Sequence, residues 1–396
     1  MRVCAPLQHA LAAATRVLVV LALSLVSAAG ASAQAPEIST KAPQALLMDA
    51  ESGAVLYQRS GDDMMYPASM SKLMLLAVVF KALKAGEIKP QQTFLMTESA
   101  SRRGGFAAGA SSMQVTPGTK VPVEELIKGI VVQSGNDAAI CVAENMSGSE
   151  AAFAKRMTDE ARALGLKKSV FRNATGLFHP EHQVTARELA LIARHLIRAY
   201  PEHYPLFALK DYTWGKTRFT NRNPLLAVMP GADGLKTGHI REAGYGLVGS
   251  AVQDSRRLIV VVNGLATQEE RRDEAKKLLE WGFKSFSEAR LFDAGEEVGR
   301  ARVWGAERFS VPLVGHQDIT MLLPRAGAPK VNARIHYAGP LKAPLKKGEQ
   351  VAMLRISTPQ DSGTEVPLYV AEDIAPGPLW WRGVDSLLHL ATRWMR

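Results

Sequence analysis

The stretch Ser69-Met70-Ser71-Lys72-Leu73-Met74-Leu75-Leu76-Ala77-Val78-Val79-Phe80 decides how this chain is read. It predicts a helix from about Ser69 to Lys84, ended by Gly86 and apolar nearly all round. A helix of that kind is buried at the centre of a domain. A serine at its start has its Oγ and backbone N–H at the positive helix end, where negative charge is favoured. Lys72 lies three residues on, one turn away on the same face, so its amine comes within reach of the hydroxyl. That amine is a useful base only if burial or a second cation depresses its pKa. Lys236 is the candidate for the second cation.

Two further motifs follow in order. Ser134-Gly135-Asn136 falls between two helical patterns, where Gly135 permits a sharp turn and one hydroxyl and one amide reach the same cleft. Ser134 is suited to relay a proton to a leaving amine, and Asn136 to hold a substrate amide. Lys236-Thr237-Gly238-His239 opens a strand rich in small residues. A strand edge binds an extended peptide by backbone pairing. Lys236 and Thr237 suit a terminal carboxylate, and Gly238 removes a side chain that would block close approach. The oxyanion donors are expected to be the N–H groups of Ser69 and His239.

Each motif alone has a plainer reading. These are a snorkelling lysine, a polar turn capped by Asp137, and an edge strand guarded by a lysine. Together they supply a nucleophile with its base, a proton relay and an anchor for an acidic peptide end. That combination is serine acyl transfer. It requires no metal and no cofactor.

Around the motifs, Ala45–Asp49 and Ala54–Gln58 read as a hairpin about Glu51-Ser52-Gly53. Helices are expected from Pro122 through Ile130, from Asp137 to near Gly148, and from Ser149 to Gly165. Another ends at Tyr200-Pro201 and opens on a capping box, Thr185 with Glu188. Strands are expected at Gly234–His239, Tyr245–Ala251 and Leu258–Asn263, then an amphipathic helix at Arg271–Phe283. Strands bracketing a helical insert make residues 35–287 an α/β layered domain. Residues 291–376 read as a small all-β domain, with β-like runs at Val331–Tyr337, Gln350–Ile356 and Val366–Val370.

The two ends read differently. Residues 1–33 carry Arg2 and Arg16, a short apolar run at Val17–Val26 and the small-residue site Ala31-Ser32-Ala33, the pattern of a signal peptide. Removing them lowers the formal net charge of +10 by two. A basic exported chain suits a cell-wall polymer or a membrane surface, and export excludes nucleic acid. Residues 377–396 place Trp380, Leu387, Leu388 and Met395 at helical spacing opposite Arg382, Arg393 and Arg396, an amphipathic helix lying in a membrane interface. Cys4 leaves with the leader, so Cys141 remains without a partner for an intramolecular disulfide, and its apolar setting makes it a small buried hydrophobe.

The segments Ala68–Leu73, Gln133–Ala138 and Asp233–His239, with Asn221-Arg222-Asn223 upstream of the third, resemble the low-molecular-mass penicillin-binding proteins. More narrowly they resemble the D-alanyl-D-alanine carboxypeptidases, over nearly the whole chain. The resemblance implies a DD-peptidase/β-lactamase-like sheet with a helical insert, a small β domain and a C-terminal anchor. It implies removal of the terminal D-alanine from peptidoglycan pentapeptides through an acyl-enzyme on Ser69, in cell-wall maturation and remodelling. It also implies acylation by β-lactams, and a periplasmic place on the outer face of the inner membrane. The stretch Gly176–His182 departs from the family pattern, and Glu181 is left outside the catalytic set. A class A β-lactamase, a DD-endopeptidase and a non-catalytic wall-binding protein are the competing readings; the first needs a glutamate-activated water.

Overall fold

The computed structural model describes residues 16–21, 38–326, 331–358 and 361–378. The chain divides into two compact units, Ala35–Phe286 and Ser287–Arg396, the latter together with Met1–Gln34.

The first unit is built on an antiparallel sheet. Its strands are β1 (Gln44–Asp49), β2 (Val55–Arg59), β3 (Ala232–Ile240), β4 (Gly244–Gln253) and β5 (Arg256–Leu265), in the order β2-β1-β5-β4-β3. The chain ends of the unit thus meet in the sheet, and β3, with the third motif, lies at its edge. Alternation along the strands sends Leu46, Met48, Ile259 and Val261 into the main core. Leu47 and Leu258 point the other way, against Gly282 of the last helix (Gln268–Ser285). Both faces of the inner strands are therefore covered, which is why they read as continuous apolar runs.

The helical insert comprises α1 (Lys72–Lys84), α2 (Glu98–Gly104), α3 (Val123–Val132), α4 (Asn136–Ser147), α5 (Glu150–Ala163) and α6 (Ala186–Ala199). Helix α1 runs through its middle, with every residue from Lys72 to Phe80 buried. Each apolar side chain of that size contributes about 1.5–3 kcal/mol on burial.

Three local expectations are corrected. Ser69 lies in a 3₁₀ turn, Ala68–Ser71, and α1 proper begins at Lys72. Asp137 does not cap α4; Gly135 holds the cap position, and the Asp137 carboxylate instead accepts from Ser112 Oγ and the N–H groups of Met113 and Ala138. Only half of the capping box forms. Thr185 Oγ1 accepts from Glu188 N–H, but the Glu188 carboxylate reaches across to the N–H groups of Lys168 and Ser169. A buried carboxylate goes where the unpaired donors are, and a loop packed beside α6 offers two.

The second unit is a β-rich assembly around Val298, Val303, Leu313, Ile335, Leu354 and Leu368. Its strands include Glu297–Trp304, Ser310–Val314, Asn332–Ala338, Gln350–Thr358 and Asp361–Val370. The leader segment Arg16–Leu21 forms a strand antiparallel to Asn332–Ala338. The rest of the expected signal peptide, and the expected amphipathic helix from residue 379 onward, lie outside the described residues. Among the described residues no helix is long and apolar enough to cross a membrane.

Candidate active site

The 3₁₀ turn before α1, the α3–α4 link and the edge strand β3 converge on a cleft of about 530 Å³. Ser69, Ser134, Asn136, Thr237, Gly238 and His239 all line it. Lys72 and Lys236 do not; both are buried directly behind it.

Lys72 is fully buried, with its amine 2.9 Å from Ser69 Oγ, and it donates to Asn136 Oδ1 at 2.7 Å and to the Thr175 carbonyl at 2.6 Å. Its pKa falls to about 7, through burial first and the Arg222 charge second. Lys236 is the second cation expected there; Arg222 is the largest charge acting on Lys72, while Lys72 and Lys236 repel one another, so that each disfavours the charged form of the other. Lys236 is itself held well below its ordinary pKa by burial, with the Lys72 charge contributing. Its ammonium meets the Thr237 carbonyl at 3.2 Å.

Ser134 sits in a left-handed backbone conformation, φ +63°, at the tight link. Its hydroxyl is buried and has no hydrogen-bond partner among the described residues, a costly state for a polar group unless something binds there. Asn136 faces the same cleft, yet its carbonyl oxygen is occupied by Lys72. The amide nitrogen of its side chain is free to donate to a substrate.

Two glycines press the elements together. Gly176 has φ +83°, and a Cβ there would come 1.9 Å from the Ala68 carbonyl oxygen, inside the serine turn. A Cβ on Gly238 would stand 2.8 Å from the Pro67 carbonyl oxygen. Gly238 thus clears room for the serine turn itself, as well as for anything lying along β3.

Sequence reasoning passed over three contributors. The Thr175 carbonyl has no sequence signal, being backbone. Arg222 was noticed only as part of a family-like triplet; it lines the cleft and donates to Ser111 Oγ at 2.6 Å. Arg271 reads from the sequence only as the start of an amphipathic helix. It is 6% exposed, lines the cleft, and pairs with no carboxylate among the described residues. Its guanidinium lies 5.6 Å from the centroid of the Tyr245 ring, which stacks on His239. Burial lowers its pKa to about 10. Gly176 and Leu177 of the departing loop line the cleft, whereas Glu181 points to solvent and pairs with Arg172 at 3.3 Å. No carboxylate lines the cleft, and no cluster suited to a metal ion occurs, among the described residues.

Fold and cleft together define a serine enzyme of the acyl-transfer class. Residues 29–267 match the D-alanyl-D-alanine carboxypeptidase family, and residues 286–376 match the C-terminal domain of penicillin-binding protein 5. The chain is 36% identical over 370 residues to the D-alanyl-D-alanine carboxypeptidase DacC of Escherichia coli, spanning 93% of this chain and 92% of that one. Penicillin-binding protein 5 from Haemophilus influenzae superposes with a TM-score of 0.75 at 36% identity, over 86% of this chain and 99% of that one. Penicillin-binding protein D2 from Listeria monocytogenes, solved with ampicillin bound, superposes with a TM-score of 0.57 at 30% identity, over 63% of this chain and all of that one. The chain belongs to the D-alanyl-D-alanine carboxypeptidase family of low-molecular-mass penicillin-binding proteins.

Proposed function

We propose that Ser69 is the nucleophile of a serine-type D-Ala-D-Ala carboxypeptidase acting on peptidoglycan pentapeptides. The observation that carries this reading is the buried Lys72 amine, 2.9 Å from Ser69 Oγ with a pKa near neutrality. As a member of its family the protein is a serine peptidase of cell-wall remodelling that binds penicillin.

Neutral Lys72 takes the Ser69 proton as Oγ attacks the carbonyl carbon of the penultimate D-alanine. The N–H groups of Ser69 and His239 receive the oxyanion. Ser134 passes a proton to the leaving nitrogen, the C–N bond breaks, and D-alanine departs. Water then releases the shortened peptide from the ester. A β-lactam carbonyl follows the same course, but its leaving nitrogen stays tethered to the acyl group. Asn136 orients Lys72 through its carbonyl oxygen and offers its amide nitrogen to the substrate. Thr237, Arg222 and Arg271 meet the terminal carboxylate, with Lys236 buried behind them.

The absence of a carboxylate from the described cleft lining favours this reading over a class A β-lactamase, whose deacylation needs one. Export by cleavage near Ala33, a periplasmic place and attachment to the inner membrane through residues 377–396 complete the proposal. The experiment is incubation of the purified protein with a pentapeptide, a cross-linked dimer and penicillin. Release of D-alanine from the pentapeptide, with an adduct on Ser69, is the expected result. Cleavage of the dimer alone would make the enzyme an endopeptidase.

A further inference from the structure

The Lys72 amine is held partly by a backbone carbonyl, and a carbonyl is only as well placed as its loop. That loop, Asn173–Leu177, is fixed from within by Asn173, which accepts from Gly176 N–H at 2.7 Å and donates to the Leu177 carbonyl at 2.9 Å. It is fixed from outside by Glu150. Glu150 opens α5, is 7% exposed, and accepts from Ala174 N–H at 3.0 Å, next to Thr175. Its other oxygen pairs with the Arg103 guanidinium. Arg103 stands in the last turn of α2, the helix that leads on to Gly109, Ala110 and Ser111 of the cleft lining. One carboxylate therefore joins the Thr175 loop to the end of α2.

We propose that Glu150 is a positioning residue for the catalytic base, holding the Thr175 carbonyl against Lys72 through Ala174 and bracing the end of α2 through Arg103. The proposal rests on the assignment of Ser69 and Lys72 above. The charged and titratable groups around the Lys72 amine are Arg222, Lys236, Asp137, Glu150 and His182. Glu150 and Asp137 are the two that favour its protonation. The Asp137 carboxylate is engaged with Ser112, Met113 and Ala138. Glu150 is thus the carboxylate coupled to the loop that touches the base.

The test is the rate of acylation by a fluorescent penicillin, per titrated site, as a function of pH. Glu150→Ala removes both contacts, and its rate should fall roughly tenfold while KM for a pentapeptide changes far less. Glu150→Gln keeps an acceptor for Ala174 N–H but loses the charge. Most of the rate should return, with the rising pH limb moved down by roughly half a unit. Arg103→Ala leaves the Glu150 charge unopposed, and the limb should move up. Opposite shifts in these two variants are not expected of a residue that merely stabilises the fold. Wild-type rates and an unmoved limb in all three variants, even with lower thermal stability, would overturn the proposal. A wild-type protein unlabelled at Ser69 would instead overturn the reading beneath it.

Discussion

Lys72 Nζ lies 2.9 Å from Ser69 Oγ and 2.6 Å from the Thr175 carbonyl, so the amine is clamped between the serine and a loop from another part of the chain. Being wholly buried, it prefers to be neutral. Neutral is the state in which it removes a proton. The acylation rate should therefore rise with pH through about 7 and fall below it. Lys72→Arg keeps a cation that does not deprotonate. That variant should lose acylation at every pH, as read by stopped-flow labelling; a labelled Lys72→Arg protein would remove Lys72 from the base role.

Ser69→Ala should abolish labelling by fluorescent penicillin while leaving the circular dichroism spectrum intact. Mass spectrometry of the wild-type adduct should place the penicilloyl group on Ser69. An adduct elsewhere would overturn the nucleophile assignment.

Carboxylate recognition should depend on the arginines at the cleft more than on the lysine behind it. Arg271→Met should weaken use of a peptide with a free terminal carboxylate by roughly 2–5 kcal/mol in kcat/KM, because Arg271 is a buried cation that forms no salt bridge among the described residues. The amidated peptide lacks the contact already and should lose much less. Equal losses on both peptides would sink the anchoring role.

Burial holds His182 neutral, with its pKa pushed down to about 3. The unfolded chain takes up that proton below its ordinary pKa of about 6.5, and the folded chain does not. Stability should therefore fall as pH drops from 6.5 toward 3, by roughly 2 kcal/mol at pH 5 from this residue. His182→Phe should remove that part of the slope, as compared by urea unfolding at pH 7 and pH 5. An identical loss in both proteins would mean that His182 does not report acid stability.

The C-terminal segment should carry the membrane contact. Trp380, Trp381, Leu387, Leu388 and Trp394 supply apolar surface, and each of Arg382, Arg393 and Arg396 adds on the order of 1 kcal/mol near anionic lipid. A chain ending at Pro376 should stay soluble without detergent and hydrolyse soluble peptides. The full mature chain should sediment with anionic vesicles, less so as salt rises. Vesicle binding unaffected by the truncation, or activity lost with it, would make the segment a structural part of the enzyme.

Much of the fold was legible because its signals are local. The all-apolar run after Ser69 marks the central helix, and Ala45–Asp49, Tyr245–Ala251 and Leu258–Asn263 read as strands that the structure contains as β1, β4 and β5. Errors came where a polar side chain chose between a local partner and a distant one. Asp137 and Glu188 each have a helix start to cap, and each bonds across to a loop instead. Sequence spacing cannot rank those partners, because the competing donors come from segments some 20 residues away.

The sequence by itself determined the reacting groups. Ser69 and Lys72 are one helical turn apart, and Ser134, Thr237 and Gly238 sit in tight or edge positions set by neighbouring glycines and strand pattern. Only the tertiary structure decided how those groups are tuned. Burial of Lys72, the Arg222 charge acting on it, the Thr175 carbonyl on it and the buried Arg271 at the cleft all depend on segments far apart in the chain. Covalent spacing fixes which atoms share a helix face. The dielectric around an amine, and the charges facing it, exist only once α1, α5, β3 and the last helix have packed together.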